Sequence, residues 1–144
     1  LVNMVLRVSR YALRKPSLVQ SAGLTPFDFF KYLQVADALE RIADEAKRLG
    51  RYMRKIEAAD AIKQEILSIY QDLITHYEEV MDAFYANDIQ KALLYASQDQ
   101  GLRERCDALA SMEKQGTCQY ACTIAEKFKT MDYCIHSIGR EVYQ

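Results

Sequence analysis

Residues that break helices are scarce in this chain. Of 144 residues only two are proline and five are glycine. Both prolines, Pro16 and Pro26, lie near the start, and residues 27–144 contain none. So few breakers mean long helices and few turns. No segment alternates β-branched and polar residues long enough to mark a strand, which argues against a sheet. An excess of one charge is missing too. Nineteen Lys and Arg against twenty Asp and Glu leave a net charge of −1, which gives no basis for broad nucleic-acid affinity. No apolar run approaches the roughly 18 residues of a membrane span. The familiar catalytic signatures are absent: there is no Gly-rich phosphate cradle, P-loop, G-x-S-x-G elbow or H-E-x-x-H pair. Neither histidine has a Glu three positions earlier. Leu73 precedes His76 and Tyr133 precedes His136, so the E-x-x-H unit of di-iron bundles is missing.

What remains describes one soluble-type helical domain spanning residues 1–144. Half the residues are hydrophobic and 27% are charged, an ordinary balance for a chain long enough to bury a core. The opening LVNMVLRVSRYALRK spreads its cations among apolar positions, where a signal peptide would place them first. It reads as an amphipathic helix ending at Pro16. It starts with Leu, as a fragment or processed chain would. A short helical turn closed by Gly23 follows. Thr25, Pro26 and Asp28 then form a capping-box start for a long helix running to about Glu57. The next helix spans about Asp60 to Ala86 and ends at Asn87-Asp88. Asp88 caps a fourth helix to about Lys114, kinked near Gly101. Gln115-Gly116 breaks it, and Thr117 caps a fifth. There Ala121, Ile124, Phe128, Met131, Ile135, Ile138 and Val142 keep strict three-four spacing. The pattern predicts an all-α antiparallel bundle of five helices, four of them long.

Within the second of these helices, Tyr32, Val35, Leu39, Ile42, Ala46, Leu49, Met53 and Ile56 form one unbroken apolar stripe. Glu40 and Asp44 sit beside it one turn apart, and Asp37 precedes Glu40 by three. Such a face is either a solvated acidic edge, balanced by Arg41, Lys47 and Arg48, or a surface of hard oxygen donors for a metal ion. Two carboxylates cannot fill an octahedral shell, so waters or other helices must complete it. The four cysteines, Cys106, Cys118, Cys122 and Cys134, lack a CxxC knuckle. They read as small reduced core residues. Cys118 and Cys122, one turn apart, offer a weaker zinc alternative with His76 or His136.

The string LERIADEA, residues 39–46, resembles the signature helix of PhoU-type phosphate-uptake regulators, where L-E-R-I-[GA]-D-x-A carries an E-x-x-x-D metal motif. The likeness extends through RYALRKPSLVQSAGLTPFDFFKYLQVADALERIADEA, which is similar to the archaeal-like branch, and through VMDAFYANDIQKALLYASQDQGLRERCDAL, similar to a later hairpin. It implies tandem three-helix repeats, with residues 1–57 the latter part of a first repeat and 58–144 a second. A second echo lays HSIGREV over ERIADEA. It puts His136 and Arg140 where the Glu and Asp would stand, which disfavours a second metal site. The resemblance further implies Glu40 and Asp44 as metal ligands, with Asp37 and Asp99 as further candidates. The ion would be divalent or trivalent, iron or zinc. It also implies a cytoplasmic, non-catalytic regulator whose partners are a phosphate-transporter complex or a sensor histidine kinase, with no nucleic-acid contact from this segment and room for a homo-oligomer. The alternative is a purely structural helical interaction module without metal.

Overall fold

The computed structural model describes Arg7 and residues 11–12, 14–21, 23–96, 100–114, 116 and 118–143, without the side chains of residues 100 and 114. Arg7 and residues 11–12 are helical; the rest of the expected N-terminal helix lies outside the described residues. The elements that follow are α1 (Pro16–Ser21), α2 (Pro26–Met53), α3 (Asp60–Ala86), α4 (Ile89–Ala96), α5 (Gln100–Lys114) and α6 (Ala121–Tyr143). No strand occurs among them, so the all-helical expectation holds. No helix there is long and apolar enough to cross a membrane.

Local chemistry sets the ends. Thr25 has extended backbone, and its hydroxyl accepts from the Asp28 N–H at 3.1 Å. Asp28 in turn accepts from the Thr25 N–H at 2.9 Å. Those bonds satisfy two donors a helix start leaves open; the Thr25 hydroxyl also donates to the Asp28 carboxylate at 2.7 Å, and that bond first, with the Thr25 N–H second, holds the carboxyl below its ordinary range. α2 stops at Met53, before the expected Glu57. Residues 54–55 turn back, with the Lys55 N–H bonded to the Tyr52 carbonyl at 2.8 Å. α3 has the expected bounds. Asn87 ends it in the left-handed region (φ 50°), a conformation asparagine tolerates, donating to the Ala83 and Phe84 carbonyls. Asp88 Oδ1 then accepts from the Lys91 N–H at 3.0 Å and starts α4. The expected fourth helix is two segments, α4 and α5; the kink placed near Gly101 falls one residue inside α5, and residues 97–99 lie outside the described set.

The expected Thr117 cap lies outside the described residues too, and α6 begins only at Ala121. Tyr120, just before it, takes φ 69°, an uncommon state for an aromatic residue. Its ring rests on Tyr52, with centroids 5.6 Å apart. Glu113, near the end of α5, accepts from the Cys122 N–H at 2.7 Å, which satisfies one open donor at the start of α6.

α6 is the axis of the domain. It packs on α2, α3, α4 and α5. All seven of its three-four positions are buried, as are Ala125, Cys134 and Gly139. A Cβ at Gly139 would rest in ordinary contact with Val80, 3.8 Å away. α2 is different. Its backbone approaches α6 and the short α1 only. Val35, Ala38 and Leu49 are buried, whereas Leu39, Ile42, Ala46 and Met53 are half-buried against the core. Of the remaining expected core positions, Ile66, Leu73, Phe84, Ile124, Phe128, Ile135 and Ile138 are all buried.

Candidate functional site

Asp37, Glu40 and Asp44 project from α2 and are all exposed. None is ion-paired among the described residues. Asp99, the fourth candidate, lies outside them. No group of three or more His, Cys, Asp or Glu side chains converges among the described residues. The acidic face therefore supplies oxygen donors from one helix, too few on their own for a closed six-oxygen shell.

The carboxylate that matters most to α2 is the neighbour the heptad reading passed over. Glu45 is buried at 8% exposure. Lys127 Nζ of α6 lies 3.0 Å from its Oε2, close enough for charge pairing though without a hydrogen bond's alignment, and Arg48 donates to Oε1 at 2.5 Å. Removing a carboxylate from water costs several kcal/mol, about what two close cations return. Glu45 thus faces α6 alongside Val35, Ala38 and Leu49, while Asp37, Glu40 and Asp44 face outward. No local signal marks the pair, since Lys127 is remote in sequence. Asp132, 1% exposed on α6, has His136 Nε2 3.6 Å from its Oδ1.

A second polar assembly ties α5 to α3. Arg105 donates to Glu65 at 2.8 Å, to Ser68 at 2.9 Å and to Asp72. Positions 65, 68 and 72 share one helix face, so a single guanidinium fork spans two turns. Its proton is held more firmly than usual, first by the Glu65 bond. Lys129 of α6 likewise bonds Asp107 at 2.8 Å and Glu126 at 3.2 Å. These groups are mutually satisfied and hold helices together. No nucleophile stands beside a base among them.

The cysteines are all free. Cys106, Cys118 and Cys134 are buried, and burial pushes each thiol up, Cys106 to about 11. Thiols in that state are poor nucleophiles and poor metal ligands. Cys118 is buried while Cys122 is exposed, so the two do not present a common pair to solvent.

An open feature of the described residues is apolar. The α2 and α3 backbones do not approach each other, although both lie on α6. Between them runs a groove with Met131 and Ile135 of α6 at its floor. One stretch, lined by Ile42 and Ala46 against Tyr70, Ile74 and Tyr77, encloses about 430 Å³; the next, lined by Leu49, Gly50 and Met53 against Ile66 and Leu67, encloses about 540 Å³. Ala46 and Tyr70 line both. At its other end Tyr32 meets Phe84 edge-on, centroids 5.8 Å apart. Sequence periodicity predicted Ile42, Ala46, Leu49, Met53, Ile66, Leu73 and Tyr77 of this lining as core, left Leu67, Tyr70 and Ile74 outside the stripe, and could not show that the α2 and α3 backbones stay apart.

No family model, curated protein or solved structure matches this chain.

Proposed function

We propose that this chain is a non-catalytic regulator that acts by docking on another protein through its helical faces. One observation carries the reading: the open apolar groove between α2 and α3, in which half-buried core-type side chains line a surface. Contiguous apolar surface of this kind marks an interaction site more often than a small-substrate cleft, and a helical groove suits a protein partner. The antiparallel course expected of the bundle is supported by the groove's lining, since later residues of α2 oppose earlier residues of α3.

The finer reading follows the LERIADEA resemblance. In it the protein is cytoplasmic and of the PhoU-like kind. It regulates phosphate uptake through a transporter complex or sensor kinase, with a metal ion on Glu40 and Asp44 assisting, and water or the partner completing the shell. Its support is the motif and the unpaired, exposed state of those carboxylates. Deleting the gene should misregulate phosphate uptake or phosphate-responsive transcription; normal responses at both high and low phosphate would leave the metal-free interaction module. Elemental analysis with titration of the parent and Glu40→Ala/Asp44→Ala tests the metal separately. Equal uptake by both proteins removes that site.

A further inference from the structure

Beside the groove-lining stripe of α2 runs a second one at three-four spacing: Ala36, Glu40, Ala43, Lys47, Gly50 and Arg54. From Glu40 onward every member is exposed, and nothing lies within 4 Å of a Cβ built on Gly50. Across the groove Leu67 and Ile74 of α3 are 46% and 41% exposed. Small residues on one wall and uncovered aliphatic ones on the other leave room for a further helix at close approach.

The charges here are sorted along the helix. Asp37, Glu40 and Asp44 occupy the middle of α2, whereas Lys47, Arg51 and Arg54 follow with no acid between them. None of these six is ion-paired among the described residues. The helix dipole accounts for Arg51 and Arg54, at the last turn and the C-cap, but not for Lys47 or for the acids of mid-helix. From Asp37 to Glu45 four acids outweigh the single cation Arg41, and from Lys47 to Arg54 every charge is basic, so this stretch complements a copy of itself laid antiparallel.

We infer that two copies of this chain pair across the α2–α3 groove about a two-fold axis that passes between the two α2 helices, level with Ala43 and Asp44. This register sets Glu40 opposite Lys47 of the second copy and Asp37 beside Arg51 of the second copy, each contact occurring twice by symmetry. Ile74 lines the same stretch of groove as Ile42 and Ala46. It therefore stands level with the axis and meets its own copy, and the two open grooves close on each other. Like charges approach at Asp44 with its counterpart and, twice by symmetry, at Arg41 with Lys47 of the second copy. Exposed ion pairs set register more than affinity; the affinity comes from the apolar strip. A stable pair needs roughly 800 Å² from each partner, and α2, about 42 Å long, is extensive enough to present it with α3.

The test is sedimentation equilibrium of the full chain with a chelator present, from micromolar to near-millimolar concentration. A dimer is expected. Ile74→Glu should give monomer, with helicity and Tm checked to show that the fold persists. Glu40→Lys and Lys47→Glu should each weaken association by about tenfold or more. Mixed in equal amounts they should recover it, because each reversal then faces the other. Asp44→Asn should tighten the dimer. A monomer throughout, a dimer indifferent to Ile74→Glu, or a mixture no stronger than either reversal alone would overturn the inference. So would a dimer that forms only when chelator is omitted, since that points to a metal bridge. Such a dimer makes the second copy the occupant of the groove read above as a docking face for another protein, whereas phosphate regulation stands or falls on the deletion phenotype.

Discussion

α2 and α6 carry the same three-four apolar spacing, yet they meet different fates. α6 buries eleven residues, including Asp132, and is surrounded by α2, α3, α4 and α5. α2 is longer but buries four, one of which is the ion-paired Glu45. A periodic stripe states that a helix has an apolar side; it does not state how many neighbours will cover it. Where coverage is incomplete, the same residues that would have been core become a surface capable of recognition.

The sharpest way to break this contrast is to cut the covered helix. Phe128→Ala, at a fully buried position, should cost about 3–5 kcal/mol in chemical denaturation. A loss under about 1 kcal/mol would mean that α6 is not the centre of the fold. Next comes the pin between the two helices. Lys127→Met should leave Glu45 with Arg48 alone and cost about 1–3 kcal/mol, and adding Glu45→Gln should return part of it. No recovery in the double variant would show that Lys127 acts through its stem rather than its charge. Ile42→Ala, on the half-covered wall, should cost about 1–2 kcal/mol, well below the Phe128 truncation. An equal cost would mean the groove is closed in solution. Glu40→Ala/Asp44→Ala should change stability by no more than about 0.5 kcal/mol without added metal.

The smallest effect is one of pH. Burial raises the Glu141 carboxyl above its ordinary range against the pull of Lys31 and Arg140. The folded state therefore holds this proton more tightly than the unfolded chain does. The resulting penalty is absent at pH values below the unfolded carboxyl's range and complete above the folded one. Glu141→Gln should raise Tm slightly near neutral pH and leave it unchanged in acid. A Tm difference that stays constant with pH would assign the effect to packing.

How much of this was legible in the sequence varies with how local the cause is. The starts of α2 and α3 and the end of α3 were readable because Thr25, Asp28, Asp60 and Asn87 act on their own turns. The end of α2 was placed four residues late, since Arg54 and Lys55 carry no turn signal and the chain bends there for tertiary reasons. All seven stripe positions of α6 were readable, because a helix covered on several sides tolerates no polar residue in its stripe, whereas the burial of Asp132 beside that stripe was not. Glu45 was not readable: its burial depends on Lys127, brought near only by folding. The groove was hidden for the same reason, as its walls have the composition of ordinary core. The acidic face was visible as a pattern, and its outward orientation showed only once Glu45 was seen to face α6.

The order of the chain adds a consequence of its own. α6 is synthesised after every helix that packs on it. Until it emerges, the stripes of α2 and α3 have no common floor, and Arg105 can join only α3 and α5. A nascent chain halted before Ala121 is thus a set of half-wet amphipathic helices with sticky faces, the kind of intermediate that chaperones hold and proteases cut. Arrival of α6 converts that loose assembly at one stroke, so these helices settle only once α6 has emerged, whatever the state of the motif-bearing α2.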